Sequence, residues 1–297
     1  MLYLLYNLYN VTRNKTFMIN KAYLEITNIC NLSCSFCHKT SRKNHIMTFE
    51  EFDFLTNKLV GKIKYLYFHL MGEPTIHPDL PKFIQTAKNK GFSPIITTNG
   101  TLLGENGTKI LSSAPHKISI SLHAPSANPV FSDSSYLENC ISFAKNAAKI
   151  GCYIAFRLWN LGSKQENENE YILQSLKKAF SNEWQDLTKR NGKKLDDYIY
   201  LEFAEQFDWP DINIEPINVV KPFCYGLRDQ IGILCDGTVV PCCLDSDGVI
   251  NLGNLFEQDL DSILSSKRAK AIYDGFSQRK AVEPLCQRCG YATRFGI

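Results

Sequence analysis

The sequence predicts an α/β fold: a partial (β/α)6 barrel of parallel strands, followed by a small C-terminal α+β unit made of a hairpin and a helix. Three observations carry this expectation. Short apolar runs of strand length recur along most of the chain. Amphipathic stretches of helical length lie between them. From about residue 217 that alternation stops, and a tight-turn signal and a cysteine pair replace it.

Strands are expected at 22–27, 65–70, 94–98, 118–122 and 153–159, with a sixth at 198–203. Helix 49–59 opens at Thr48-Phe49-Glu50-Glu51, the pattern of a capping box, in which hydroxyl and carboxylate reciprocally satisfy two free N–H groups. Helices 80–90 and 136–150 each stop at a glycine, Gly91 and Gly151. Near-continuous apolar strands between helices imply a parallel sheet covered on both faces. In parallel barrels the chemistry sits in the loops after the strands. Residues 160–197 break the pattern with a polar run at 162–170, a charged helix at 171–189 and a polar turn at Asn191-Gly192. This insertion reads as a solvated helix and linker, or as a lid over the barrel mouth.

The expected divisions are an N-terminal extension (1–19), the barrel (20–215) and the C-terminal unit (216–297). In the last, Asp236-Gly237 between two apolar runs signals a two-residue hairpin. A helix at 259–276 and the pair Cys286-x2-Cys289 follow.

A chain of 297 residues with 44% hydrophobic and 21% charged residues is ordinary globular material, and a net charge of +3 is too small to argue for nucleic-acid binding. The apolar start, Met1-Leu2-Tyr3-Leu4-Leu5-Tyr6, lacks a basic n-region and a small-residue cleavage site, so it reads as an N-terminal strand or cap. No membrane association and a cytoplasmic location are expected. Eleven cysteines in a chain this long exclude a small disulfide scaffold, and their grouped spacings read as metal ligation in a reducing compartment.

The first group is Cys30-x3-Cys34-x2-Cys37, directly after the first strand. Three thiolates can hold a cubane iron–sulfur cluster by three of its four irons and leave the fourth open. A closed structural zinc site would need a fourth ligand such as His38 or His45. The run resembles the signature of the radical S-adenosylmethionine (radical SAM) enzymes, C-x3-C-x-aromatic-C in the loop after the first barrel strand, with Phe36 as the aromatic. Met71-Gly72-Glu73-Pro74, after the second strand, resembles the family's G-G-E-P with Met for the first Gly.

The resemblance implies a [4Fe–4S] cluster whose open iron is chelated by S-adenosylmethionine, reductive cleavage to a 5′-deoxyadenosyl radical, and hydrogen abstraction from a substrate. Glu73 would accept from the methionine ammonium, and Gly72 would allow close backbone approach. Thr98, Asn99 and Ser121, at the ends of the third and fourth strands, are expected to contact the cofactor, or else to satisfy backbone groups in the barrel interior. Arg157, a charge inside an apolar run, must meet a partner, either the cofactor carboxylate or a structural acid. Phe36 would abut the adenine, or simply pack. His69, His77, His116 and His123 sit near loop ends, no pair of them has ligand spacing, and they read as structural or polar-loop residues.

The second group, Cys224-x17-Cys242-x43-Cys286-x2-Cys289, resembles the auxiliary-cluster region of radical SAM proteins with a short SPASM-like (twitch) domain. It implies one fully ligated auxiliary [4Fe–4S] cluster; a zinc ribbon from the same four thiolates is the alternative. If Asp236-Gly237 is the turn, Cys235 pairs with Thr238 and Cys242 with Ile231, roughly 13 Å along the strand, too far for one cubane to take both. Cys243 should point opposite to Cys242. Cys235, Cys243, Cys140 and Cys152 therefore read as buried thiols, and no residue is nominated as a catalytic acid or base.

The expected function is a radical SAM oxidoreductase or maturase, performing an oxidative or epimerising modification of a peptide or small molecule with a flavodoxin- or ferredoxin-like external reductant. The alternative is an iron–sulfur electron-transfer or metal-binding module that does not cleave S-adenosylmethionine. Nineteen residues before the barrel leave no room for a peptide-leader-binding domain, which favours a small molecule or a leader supplied through another protein.

Overall fold

A computed structural model of the protein describes residues 19–128, 130–180, 183–188, 191–217 and 219–295. The strand or cap expected at the N-terminus lies outside them. Six parallel strands form the centre: β1 (Lys21–Leu24), β2 (Tyr65–Tyr67), β3 (Ser93–Thr98), β4 (Lys117–Ser121), β5 (Tyr153–Leu161) and, after an insertion, β8 (Ile199–Glu205). Helices α1 (Phe49–Leu59), α2 (Leu80–Asn89), α3 (Leu103–Ser112) and α4 (Tyr136–Lys149) connect the first five. The capping box of α1 is present: the Thr48 hydroxyl accepts from Glu51 N, and the Glu51 carboxylate accepts from Thr48 N at 2.7 Å. Sequence reading did not name α3, which carries two glycines. One of them, Gly107, lets α3 approach α4, since a Cβ there would stand 2.8 Å from Phe143 Cδ2.

The strands are not apolar on both faces. Registers place Leu24, Leu66, Ile96, Ile118, Ile120, Phe156 and Leu201 on one face, buried under the helices. Phe68, beyond the end of β2, joins this layer, where Phe52 stacks on Phe83 at 4.2 Å and meets Phe68 edge-on at 5.5 Å. The opposite face carries Tyr23, Tyr67, Thr97, Ser119, Ser121, Arg157 and Glu202. This corrects the expectation of continuous apolar strands. The barrel interior is polar and aromatic, which suits a bound ligand and not a packed plug of side chains.

Both edges of the central strands are extended, giving the order β10-β9-β1-β2-β3-β4-β5-β8-β7-β6. Residues 160–197 hold α5 (Asn169–Ala179) and an antiparallel hairpin, β6 (Gln185–Asp186) and β7 (Gly192–Asp196), that pairs with β8. The helix expected over 171–189 thus stops ten residues early, and Gln185–Asp186 pair at the sheet edge instead. At the other edge β9 (Gln230–Ile233) pairs parallel to β1, and β10 (Val239–Val240) returns antiparallel. The C-terminal unit therefore continues the barrel's own sheet.

Two further expectations need correction. The hairpin pairs Val239 with Ile233 and Val240 with Gly232, so Cys235, Asp236 and Gly237 form a three-residue loop and Cys235 does not face Thr238. Gly237 N donates to Leu234 O, and Leu234 N to Thr238 O, both at 2.9 Å. The helix expected at 259–276 is two helices, α6 (Leu260–Leu264) and α7 (Lys267–Ser277), divided where the Ser266 hydroxyl caps Ala269 N. Among the described residues no helix is long and apolar enough to cross a membrane.

Candidate functional site

The loop between β1 and α1 is closed at its base. The Thr27 hydroxyl donates to His45 O at 3.0 Å, Met47 N to Ile26 O at 2.9 Å, and the Asn28 side chain exchanges bonds with Lys43 O and His45 N. Cys37 N returns to Cys34 O at 3.2 Å, a tight turn that brings the last two thiols together. Burial pushes the Cys34 thiol up to about 12, and the charges of Cys37 and Cys30 add to it. Burial and then Cys30 raise Cys37 to about 11. Burial is the first reason each of the three thiols resists ionisation, so the trio becomes a thiolate set when a cationic centre compensates it. Among the described residues no three His, Cys, Asp or Glu side chains converge on a single-ion site. The zinc alternative's fourth ligands are turned elsewhere, His38 Nε2 to Asp247 and His45 Nε2 to Glu51, each at 3.3 Å.

The loop after β2 locks against this one. Gly72 has φ +75°, and a Cβ there would meet Thr27 O, Ile29 O at 2.8 Å and Asn28 C at 2.9 Å. The close approach that needs glycine is thus to the cysteine loop's own backbone. Glu73 N donates to Ile29 O at 2.8 Å. Its carboxylate is buried and accepts from Thr75 N (3.0 Å), the Thr75 hydroxyl (2.7 Å) and Asn99 N (2.7 Å). Burial raises its pKa, against the pull of these bonds. Glu73 therefore ties the loops after β2 and β3 together.

Asn99 completes the join. Its Nδ2 lies 2.9 Å from Asn31 Oδ1 and 3.9 Å from Cys30 Sγ. Thr98 is a correction: the register puts it on the helix-facing side, where its buried hydroxyl accepts from Gly100 N, and Thr97 is the interior neighbour. Ser121 and Arg157 lie side by side in register on the interior face. Phe36 packs on the His123 ring at 5.1 Å. The Arg157 guanidinium stacks 4.4 Å above Trp159, stands 3.6 Å from Glu202, and has a buried Nε without a hydrogen-bond partner. Glu202 is the structural acid among the two partners expected.

Cys224, Cys242, Cys286 and Cys289 line one cavity of about 930 Å³, counted to its open mouth. Burial first, then Cys224, Cys243, Cys289 and Cys286, hold the Cys242 thiol well above its ordinary value. Cys235 is elsewhere, its Sγ 3.1 Å from Glu25 O. Cys243, however, lines the same cavity and has Tyr23 as a hydrogen-bond partner. The opposite-face argument fails because β10 ends at Val240, and a turn, not a strand, carries Cys242 and Cys243.

The other wall of this cavity is the barrel interior: Tyr23, Tyr67, His69, Arg157 and Trp159. Tyr23 stacks on Tyr67 at 4.4 Å, and His69 meets both edge-on. His69 is not merely structural. Its Nδ1 is buried without a partner, and burial, reinforced by Arg157, pushes its pKa down to about 3, so the ring is neutral. Sequence reading missed this wall, although the alternation Tyr65-x-Tyr67-x-His69 on one strand face was a usable signal. The cavity's rim comes from Phe207, Pro210 and Tyr291. Among the described residues of 160–197 none lines it.

Known proteins resemble the chain in sequence and in fold. The model for the radical SAM superfamily matches residues 24–156, and that for an iron–sulfur cluster-binding domain, SPASM, matches residues 224–290. A probable GTP 3′,8-cyclase of Sulfolobus acidocaldarius is 24% identical over 276 residues, covering 79% of this chain and 84% of that protein. A tungsten-containing aldehyde ferredoxin oxidoreductase cofactor-modifying protein of Pyrococcus furiosus is 37% identical over 93 residues, 30% of this chain and 26% of that one. Among solved structures, BtrN in complex with AdoMet and 2-DOIA superposes with a TM-score of 0.58 at 15% identity, covering 91% of this chain and 92% of BtrN. SuiB of Streptococcus suis bound to S-adenosylmethionine gives 0.57 at 17%, covering 97% and 76%. At these identities the superpositions speak for the fold. The two matched sequence models coincide with the two cysteine sites built above: the chain belongs to the radical SAM superfamily, whose core binds a [4Fe–4S] cluster and S-adenosylmethionine, and it carries a SPASM-type domain for auxiliary iron–sulfur binding.

Proposed function

We propose that the protein is a radical SAM enzyme that modifies a small molecule or a peptide segment held between its two cysteine sites, by net oxidation or epimerisation. One observation carries the reading. The cavity joining the barrel interior to Cys224, Cys242, Cys286 and Cys289 is lined by His69, whose buried Nδ1 has no hydrogen-bond partner, and by Arg157, whose buried Nε has only the 3.6 Å ion pair with Glu202. Buried polar groups are normally paired, so such orphans mark places where a ligand completes the bonding.

When bound, the cluster and S-adenosylmethionine supply a 5′-deoxyadenosyl radical able to take an unactivated hydrogen. The chain's own residues do the rest. Cys30, Cys34 and Cys37 hold the first cluster and leave one iron for the cofactor. Gly72 and Glu73 shape the loop that faces the methionine ammonium, Asn99 and Ser121 contact the nucleoside, and Phe36 covers its base. His69 and Arg157 offer hydrogen-bond donors to an oxygen of the substrate. No unengaged carboxylate stands among the described lining residues to receive an ammonium, because Asp245 is occupied by Val249 N and Ile250 N. Cys224, Cys242, Cys286 and Cys289 would ligate the auxiliary cluster, which would supply an electron acceptor for the oxidation. Cys30 and Cys37 are exposed, which gives a flavodoxin- or ferredoxin-like reductant a short route in.

The test is anaerobic reconstitution, an iron count, and assay of 5′-deoxyadenosine with dithionite as reductant. The parent should hold about eight irons per chain, and a Cys30/Cys34/Cys37 triple alanine variant about four with cleavage abolished. Two loaded clusters with no cleavage would favour an electron-transfer module instead. Comparing candidate peptides with a panel of cyclic polyols and sugars then separates the substrate classes.

A further inference from the structure

We infer that Asp247 and Arg42 are positioning residues through which the C-terminal domain sets the shape of the N-terminal cysteine loop. The inference rests on the proposed function for its consequence, and on geometry for its substance.

The segment 38–42 follows Cys37 directly and forms no helix or strand. It is held from outside, by the turn that follows Cys242 and Cys243. Asp247 Oδ1 accepts from the Thr40 hydroxyl at 2.8 Å, Ser41 N at 2.8 Å and the Ser41 hydroxyl at 3.1 Å; its Oδ2 meets His38 Nε2 at 3.3 Å. Arg42 Nε donates to Ser246 O at 2.8 Å. Its Nη2 lies 2.7 and 2.8 Å from the two oxygens of Glu25, which is fully buried just after β1. Glu25 also accepts from Met71 N at 3.1 Å and Cys235 N at 3.4 Å. One buried ion pair therefore touches the loop of Cys30, Cys34 and Cys37, the loop of Gly72 and Glu73, and the β9–β10 turn. Within the C-terminal turn, the buried Asp245 carboxylate fixes Val249 N and Ile250 N and itself lines the cavity with the second cysteine set.

Charge-assisted bonds of this length are strong and directional. Three thiolates share a cubane only if the loop holds them at set distances, and part of that loop's restraint comes from the C-terminal unit. Order in 242–247 is thus transmitted to 38–42. Cutting the link should change the first site without removing any of its ligands, and the effect is reciprocal between the sites by linkage.

The experiment uses the full chain, reconstituted anaerobically, with Asp247→Ala, Asp247→Asn and, as a charge-matched control, the exposed Asp261→Ala. It reads iron content, the electron paramagnetic resonance (EPR) spectrum of the reduced protein, and the S-adenosylmethionine concentration giving half of the cofactor-induced spectral change. Asp247→Ala should keep the auxiliary iron, broaden the first cluster's signal, and raise that half-point by about tenfold, equivalent to about 1.4 kcal/mol. Asp247→Asn keeps an acceptor oxygen for Thr40 and Ser41 and should recover most of the difference; Asp261→Ala should match the parent. A half-point for Asp247→Ala within twofold of the parent overturns the inference. Should Asp247→Ala not fold, the variant His38→Phe/Thr40→Val/Ser41→Ala removes every side-chain bond to Asp247 from the other side and spares only that of Ser41 N, and a parental half-point there overturns it equally. A parent that shows no cofactor-induced change would instead sink the proposed function.

Discussion

Asn99 Nδ2 stands 3.9 Å from Cys30 Sγ and 2.9 Å from the side-chain oxygen of Asn31, so the end of β3 touches the cysteine loop at its first thiol. The same residue's N–H holds Glu73, and its carbonyl accepts from the Tyr136 hydroxyl at 2.8 Å. Asn99 is the keystone of the first site. Asn99→Ala removes the side-chain contacts and spares the backbone ones. It should lower the first cluster's stability to chelators several-fold while leaving the fold intact, since a lost hydrogen bond to a charged group costs about 1.5–3 kcal/mol. Iron release to a chelator, followed with time, checks it.

Gly72 cannot be replaced without moving the cysteine loop. Gly72→Ala puts a Cβ against three backbone atoms of that loop, at a φ that costs a non-glycine residue about 1–2 kcal/mol before any clash is counted. The expected outcome is loss of iron from the first site with the auxiliary iron retained, read as about four irons per chain.

Five thiols line the auxiliary cavity and four close a cubane. Cys243 has Tyr23 as its partner, and its pKa is pushed up to about 12, by burial first and then by Cys224 against that partner's pull. Cys243→Ala should retain the auxiliary iron, whereas Cys242→Ala should lose it. The opposite pattern would exchange the two residues' roles.

His77 is buried as a neutral ring. Its Nε2 donates to Met47 O at 2.9 Å, and its Nδ1 accepts from Asp79 N at 3.1 Å, which leaves no lone pair for a second proton. Burial lowers its pKa against the pull of the Met47 carbonyl and Asp79. Above about pH 6.5 both folded and unfolded states hold it neutral and its contribution is complete. Below that, the unfolded chain takes a proton the folded one refuses, and stability falls by at most about 1.4 kcal/mol per pH unit until the folded value is reached. Urea midpoints between pH 7.5 and 5.5 should fall less steeply in His77→Gln than in the parent.

Local signals in the sequence located the sites, and long-range pairing determined what surrounds them. The capping box at Thr48, the strands and both cysteine groups each announce themselves within a few residues. The attachment of β9 to β1 spans about two hundred residues of sequence and has no local signature, so the C-terminal unit looked separate when it extends the same sheet. The hairpin register was misread by one residue, since Asp236-Gly237 suits both a two-residue turn and a three-residue loop, and Cys243 was misplaced because the strand was expected to run past Val240, where β10 ends. Glu73 and Gly72 were found from their motif, but the backbone of the cysteine loop and Asn99, which they touch, have no signature in it, because a motif shows that a residue is needed and not what else it touches. His69 was passed over because a lone histidine between aromatics reads as core until the opposing wall is known.

The central claim is that the chain holds two iron–sulfur clusters of different character, the first with an iron open to S-adenosylmethionine and the second closed by four thiolates. EPR of the reduced, reconstituted protein with and without the cofactor tests it most directly. The predicted result is two signals, of which one, absent from the Cys30/Cys34/Cys37 variant, shifts on cofactor addition while the other, absent from a Cys286/Cys289 variant, does not. A spectrum in which neither signal responds, or in which the responsive one survives the loss of Cys30, Cys34 and Cys37, would contradict it.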